Sequence, residues 1–463
     1  MIFESKASDS VLEPGPDASR FGPERGAPVG VQRDPLDEMG LCSPEEAVEE
    51  IRAGRMLVLV DGDSGENPGD LCIAADAVTP EAINFMATHA RGLICLALDP
   101  ATFDRLGVSL MVPEHANESA RSTAFGISIE ARAGVTTGIS AYDRAHTIRT
   151  AIADGAGPGD LSRPGHIFPL QARPHGVLER PGRTEGSVDL ARLAGRRAGA
   201  AICEIMNDDG SVARSSDLQA FAKQHGLKIA SIADLVQHRM RSEPLVHPVA
   251  EAMLPTAWGE FRAVVFRGEI DGVDHIALIR GQLRPEVPGL VRVHRECLTG
   301  DAFGSSRCDC GAQLDAALER LGAAESGVLL YLRREGRDTG LANQIKAYAL
   351  QDADDRAVAH ERLGSCCGER DDGVAAGMLR SLGIRRLRQL TSHAEKPTQI
   401  TQFGLEVCER IALEITPNER DLPDLRAKKD KLGHLLPRHP RESPSRSTHP
   451  GARRPSMAIP IRG

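Results

Sequence analysis

Aromatic residues are scarce in this sequence, at 3% of 463 residues with one Trp and three Tyr, and so little stacking surface argues against a platform for single-stranded nucleic acid. Positive charge is not in excess either. With 56 Lys and Arg against 65 Asp and Glu, the formal net charge is −9, which withholds the electrostatic attraction that general nucleic-acid binding requires. No apolar run approaches the roughly 18 residues of a membrane span, so no membrane partner is expected. The opening residues Met1-Ile-Phe-Glu-Ser-Lys6 lack the basic and apolar regions of a secretory signal. No internal repeat is present. The ten cysteines are scattered and never form the paired Cys-x-x-Cys knuckles of a zinc ribbon. These absences leave a cytoplasmic protein in reducing surroundings, acting on small molecules.

What is present suffices for two cores, since 41% of the residues are hydrophobic and the length exceeds one ordinary domain. The expected class is mixed α/β with two globular domains and disordered tails. Residues 1–38 are rich in Pro, Gly, Ser and charge and are expected to be disordered. A first domain is expected over 39–242, opening with a helix at Ser43-Pro44-Glu-Glu, where Ser caps and Pro takes the first turn. The Pro-flanked stretch at 243–250 reads as a linker. A second domain over 251–436 shows strand patterns at Phe261–Phe266, His275–Ile279 and Gly327–Tyr331 and a helix pattern at Ala312–Leu321. The Pro/Arg/Ser tail at 437–463 is expected to be disordered.

The most informative run is Cys297-Leu-Thr-Gly-Asp-Ala-Phe-Gly-Ser-Ser-Arg-Cys308-Asp-Cys310, three thiols within fourteen residues. Three protein ligands define an open zinc site, whose fourth position is left to water or substrate; structural zinc takes four. Alternation across Cys308 and Cys310 would put both thiols on one side of an extended segment. Around this run stand Arg292-Val293-His294-Arg295-Glu296, then Glu335-Gly336-Arg337, Lys346, Arg370 and Lys396. Zinc-activated water ringed by Arg and Lys, with Gly beside the charges, describes hydrolysis on a polyanion, because arginine meets phosphate oxygens bidentately and glycine lets backbone approach them.

From Val249 to about Leu436 the order and spacing of these groups resemble GTP cyclohydrolase II. The resemblance implies that Cys297, Cys308 and Cys310 hold Zn²⁺ and that Arg292, Val293, His294, Arg295, Glu296, Gln313, Glu335, Gly336, Arg337, Thr391 and Lys396 bind GTP. It makes Tyr348 the active-site tyrosine and Arg370 the nucleophile toward the α-phosphate. The products would be formate, pyrophosphate and 2,5-diamino-6-ribosylamino-4(3H)-pyrimidinone 5′-phosphate. The chain departs from the family pattern in three places. Gly368 stands where a proton-accepting Asp is expected, with Glu369 or Asp371 as candidate substitutes, Ala357 replaces a GTP-contacting Thr, and Thr391-Ser-His-Ala394 replaces Thr-Asn-Asn-Pro.

The first half carries an acidic, glycine-rich loop, Asp61-Gly-Asp-Ser-Gly65-Glu66-Asn-Pro68-Gly-Asp70, after the apolar run Met56–Val60. A strand leading into oxygen ligands favours Mg²⁺ or Mn²⁺ over zinc. With Thr123-Ala-Phe, Gly134-Val-Thr-Thr137-Gly, Arg163-Pro164-Gly165-His166-Ile167 and Arg183-Thr-Glu185, it resembles 3,4-dihydroxy-2-butanone 4-phosphate synthase over roughly 39–240. That resemblance implies metal ligation by Glu66 and His166. It implies ribulose 5-phosphate contacts from Glu66, Asp70, Arg163, Pro164, Gly165, His166, Ile167 and Glu185, and catalytic roles for Glu185 and Cys95. Gly65 replaces an Arg, Pro68 a Glu and Arg183 a His of the usual pattern. A homodimeric, bifunctional enzyme is therefore expected. The alternative is a degenerate paralogue that has lost one or both activities and binds GTP or zinc as a regulatory or structural partner.

Overall fold

The computed structural model describes residues 40–62, 68–118, 123–333, 341–352, 368–392 and 399–413. The expected terminal disorder, and Gly65, Glu66, Glu335, Gly336, Arg337, Ala357 and Lys396, lie outside these residues.

The first half opens on α1 (Pro44–Arg52), whose Ser43 accepts from the Glu46 amide at 3.2 Å while Glu46 accepts from the Ser43 amide at 3.0 Å. Ser43 is the cap expected from the sequence, and the return bond from Glu46 makes it reciprocal. There follow β1 (Leu57–Val60), β2 (Gly69–Ala74), α2 (Pro80–Phe85), β3 (Arg91–Leu98), α3 (Pro100–Arg105), β4 (Ala124–Phe125), β5 (Ile129–Ala131) and α4 (Ala141–Ile152). Next come β6 (Leu161–Gln171), α5 (Arg183–Leu193), β7 (Gly199–Ile205), α6 (Ser215–His225), β8 (Ile229–Ser231) and α7 (Ile232–Ser242). The strands form one mixed sheet in the order β4-β6-β3-β7-β2-β1-β8, with β5 paired to β6.

Both faces of that sheet are covered, which explains why β1 reads Leu-Val-Leu-Val without a polar break. Val58, Leu71, Leu96 and Ala201 pack with Ile83, Ile148 and Leu218 from α2, α4 and α6. The alternate residues Leu57, Leu59, Cys72 and Ile202 pack with Ile51, Val188 and Leu235 from α1, α5 and α7. On the second face, Asp70 of β2 lies opposite Glu204 of β7, and Cys95 of β3 lies between Ile202 and Phe168 of β6.

The second half comprises β9 (Val246–Thr256), β10 (Gly259–Gly268), β11 (Asp274–Arg280), β12 (Gly289–Arg295), α8 (Leu298–Asp301), α9 (Cys310–Gly322), β13 (Gly327–Leu332), α10 (Leu341–Asp352), α11 (Gly368–Ser381), β14 (Arg386–Thr391) and β15 (Glu406–Ala412). Its sheet runs β15-β14-β12-β13-β11-β10-β9. The stretch at 243–250 expected as a linker is mostly strand, because β9 already pairs Val246 to Gly268 and Pro248 to Phe266. Proline is tolerated there because β9 is the edge strand, where an amide toward solvent is dispensable. Met240 of α7, Leu245 and Val246 are buried in one cluster with Phe266, Val374 of α11 and Phe403. The halves thus share a core.

Candidate functional site

In the second half the chain leaves β12 and turns at Cys297 into α8, while Cys308 lies in the turn before α9 and Cys310 is the first residue of α9. The extended segment expected across Cys308 and Cys310 is therefore corrected. The helical apolar pattern of Ala312–Leu321 continues back to Cys310, and the entry into α9 converges the thiols. The Sγ atoms of Cys297 and Cys308 are 3.7 Å apart, and all three sulfurs lie within 4.8 Å of one another. A tetrahedral zinc with Zn–S near 2.3 Å sets its sulfurs about 3.8 Å apart. Gly300 makes the approach possible, since a Cβ there would stand 2.8 Å from the Cys308 sulfur. The Cys308 and Cys310 thiols hold Cys297 well below the usual thiol range, whereas Cys297, Cys308 and burial push Cys310 far up. A cation between the three sulfurs would hold all of them as thiolates, and the donor set fits zinc.

The turn carrying Cys297 is held by Asp301, which accepts from the Cys297 amide at 2.9 Å, from the Tyr331 hydroxyl at 2.9 Å and stands 3.1 Å from His294 Nε2. Tyr348, one of the expected site residues, reaches the triad from α10. Its hydroxyl lies 3.0 Å from Thr299 Oγ1 and accepts from Gln344 Nε2 at 3.0 Å. The same amide stands 3.4 Å from Cys297 Sγ. Burial raises the Tyr348 hydroxyl above its ordinary value. Among the expected GTP residues, Arg292 is buried, donates to Gln313 Oε1 at 2.6 Å and to the Leu390 carbonyl at 3.3 Å, and is pulled down by burial to about 10. It stays charged near neutrality. Arg292, Gln313 and Thr391 thus gather where β12, α9 and β14 meet. Val293 packs against the core, and the Glu296 amide donates to the Leu332 carbonyl. Arg295 holds Asp371 at 2.9 Å and Asp372 at 2.8 Å on α11, whose first turn contains Arg370. Asp371, one candidate substitute for the acid missing at Gly368, is buried and engaged by that arginine.

In the first half a cavity of about 570 Å³ opens on the α5 side of the sheet, lined by Asp61, Asp70, Cys95, Arg180, Arg183 and Glu204 among others. Glu185, in the first turn of α5, is buried, accepts from Arg180 at 2.6 Å and from the Arg173 amide at 3.2 Å, and burial raises its carboxyl above the usual range. Cys95 lies in the wall, but burial pushes its thiol far up and keeps it protonated, a poor state for a nucleophile. His166 is on β6, and its ring Nδ1 lies 2.6 Å from Glu130, which also accepts from Thr147 at 2.9 Å. This leaves Nε2 free to face a metal, the usual carboxylate–histidine arrangement. Gly138 closes over the pair, where a Cβ would stand 1.9 Å from Glu130 Oε2. The Gly165 amide donates to Ser128 at 3.2 Å, Ile167 is buried against Ile129, and Arg163, followed by Pro164, donates to the Leu106 carbonyl at 2.7 Å. Between Asp70 on β2 and His166 on β6 lie β7 and β3, so the two are separated by three strand spacings, about 14 Å.

Sequence reading overlooked Gln344, Asp301, Glu130, Arg180 and Glu204. Two signals were available: Gln344 precedes Tyr348 by one helical turn, and Glu204 and Glu130 are lone charges in otherwise apolar strands.

The family model for 3,4-dihydroxy-2-butanone 4-phosphate synthase matches residues 45–238, and that for GTP cyclohydrolase II matches residues 247–412. The chain is 51% identical over 404 residues to riboflavin biosynthesis protein RibBA of Aquifex aeolicus, covering 86% of this chain and 99% of that one. It is 43% identical over 402 residues to the chloroplastic bifunctional riboflavin biosynthesis protein RIBA 1 of Arabidopsis thaliana, covering 86% and 74%. Among solved structures, RibBX of A. baumannii, a two-domain 3,4-dihydroxy-2-butanone 4-phosphate synthase, matches with a TM-score of 0.62 and 37% identity, over 80% of this chain and 99% of that one.

Proposed function

Because the chain belongs to the riboflavin biosynthesis family that joins a 3,4-dihydroxy-2-butanone 4-phosphate synthase to a GTP cyclohydrolase II, we propose that each half performs its family's reaction with the residues named from the sequence. The chain is a bifunctional enzyme of riboflavin biosynthesis. Its second half converts GTP to 2,5-diamino-6-ribosylamino-4(3H)-pyrimidinone 5′-phosphate, formate and pyrophosphate. Its first half converts ribulose 5-phosphate to 3,4-dihydroxy-2-butanone 4-phosphate and formate.

In the second half Cys297, Cys308 and Cys310 would hold Zn²⁺, which supplies an acidified water beside the guanine ring when bound. Tyr348, oriented by Thr299 and Gln344, holds or passes a proton at that ring. Arg292 and Gln313, fixed on each other, meet the nucleotide together with Glu335 to Arg337, Thr391 and Lys396, while Arg370 acts on the α-phosphate. In the first half Glu66 and His166 would hold Mg²⁺ or Mn²⁺, which supplies chelation of the sugar oxygens. Glu185, whose carboxyl burial raises, is the group assigned to proton transfer, and Asp70 lines the cavity on the α5 side of the sheet.

A homodimer is our reading of the assembly, supported by Ile139 and Tyr142, which are 55% and 70% exposed beside Gly138 and His166. Light scattering on the purified chain decides it. A cytoplasmic location accords with free thiols at every cysteine of the described residues. The observation that carries the cyclohydrolase assignment is the sulfur triad at zinc spacing. The test is formate release by the full chain, given GTP with Zn²⁺ or ribulose 5-phosphate with Mg²⁺. Formate from both substrates is expected, and a zinc-loaded chain that releases none from GTP refutes the second-half assignment.

A further inference from the structure

Polar atoms of Gln344, Tyr348, Thr299 and Cys297 close a ring at the edge of the sulfur triad. Gln344 Nε2 stands 3.0 Å from the Tyr348 hydroxyl, 3.2 Å from Thr299 Oγ1 and 3.4 Å from Cys297 Sγ. Thr299 Oγ1 lies in turn 3.0 Å from the Tyr348 hydroxyl and 3.6 Å from Cys297 Sγ. Gln344 and Tyr348 are one helical turn apart on α10, so both side chains leave the same face of that helix. A second tie holds α10 to the chain segment of the triad. Arg307, the neighbour of Cys308, lies 5.2 Å over the Tyr348 ring and donates to the Tyr348 carbonyl at 3.4 Å.

We propose that Gln344 is a positioning residue of the cyclohydrolase site, whose amide donates to the Cys297 thiolate and to the Tyr348 oxygen and so ties the tyrosine to the metal ligand. The inference deepens the reading of the triad as the zinc site of that half and rests on it. A thiolate accepts hydrogen bonds and offers none, so the nitrogen of the amide, and not its oxygen, must face the sulfur. That nitrogen carries two hydrogens. One serves Tyr348, and the other is shared between Thr299 and Cys297, whose acceptor atoms are neighbours. With Cys297 ionised, Thr299 also meets the sulfur as a donor. A hydrogen bond to an ionised acceptor is roughly twice as strong as a neutral one. On a ligand sulfur it draws charge away from the metal, which keeps the site a stronger Lewis acid.

The experiment uses the full chain loaded with Co²⁺ in place of zinc, because the sulfur-to-cobalt charge-transfer band reports the electron density on the thiolates. Losing a donor to sulfur moves that band to longer wavelength. Gln344→Leu is expected to move it so and to weaken zinc binding about 10–100-fold in a chelator competition, the usual effect of removing a ligand's outer partner. Gln344→Lys keeps a donor and brings no acceptor, so band and affinity should stay near wild type. A role in packing alone would be met by Leu and not by Lys. Tyr348→Phe should leave the band in place, because the bond to sulfur remains. A Gln344→Leu chain with the wild-type band and wild-type zinc affinity overturns the proposal. Should that variant fail to fold, Gln344→Ala, which also suits a helix, is read in the same way. A wild-type chain that takes up neither metal refutes the triad as a zinc site and this role with it. One that binds metal yet releases no formate from GTP refutes the cyclohydrolase reading instead, and the band still judges Gln344.

Discussion

Gly300 has no functional group, yet the sulfur triad depends on it, because any side chain there would press on the Cys308 sulfur. About one zinc per chain is expected on elemental analysis, falling to a small fraction in Cys308→Ser, which removes a ligand. Gly300→Ala should weaken zinc binding with all three thiols intact, as a chelator competition would report. In the first half, Glu130→Gln should lower Mn²⁺ affinity about 10–100-fold by releasing the His166 ring, the usual effect of losing a ligand's outer partner. Titration calorimetry gives the ratio. Gly368→Asp should speed GTP turnover by about tenfold or more, since Asp371 is already held by Arg295 and cannot cover for the missing acid. The thiols themselves were legible in the sequence, because ligand type and spacing are local. The contact of Gln344 with Cys297 was not, since it depends on how α10 packs over α8, and neither was the bond from Tyr331 of β13 to Asp301.

Elements were easier to read than contacts. The cap of α1, the apolar run of β1 and the helical period of α9 all follow from local pattern and are found where expected. A Pro-flanked stretch also describes an edge strand, and only the pairing of β9 with β10 shows that the chain is already extended from Val246. The pairing of α7 with α11 could not be read at all, because Met240 and Gly373 are far apart in the chain and meet only through tertiary packing. A Cβ on Gly373 would stand 3.2 Å from Leu245 and 3.4 Å from the Met240 sulfur. Met240→Ala should therefore cost about 2–5 kcal/mol, the range for deleting a buried Met. Because its cluster includes β10 and α11, differential scanning calorimetry should show the second half unfolding earlier as well.

At the scale of the whole molecule, buried acids set a pH dependence. The Asp70 carboxyl is raised in the fold to about 6 by burial, above its ordinary 3.8. A raised acid stabilises the fold fully below its unfolded value, and that contribution is lost as pH rises through the folded value. Between pH 4 and 6, the stability difference between wild type and Asp70→Asn in urea should fall as pH rises, then level off above about pH 7. An unchanging difference would place the Asp70 carboxyl in water. The two families and the mixed α/β class were legible from motifs, but not that buried side chains of both halves join in one cluster. Leu245 and Val246 lie at the junction of the halves and are buried in one cluster with Met240 of the first half and Phe266, Val374 and Phe403 of the second. A protease that removes either half would strip the cover from these side chains and leave a remnant fit for rapid degradation. One chain therefore delivers both catalysts in a fixed one-to-one ratio.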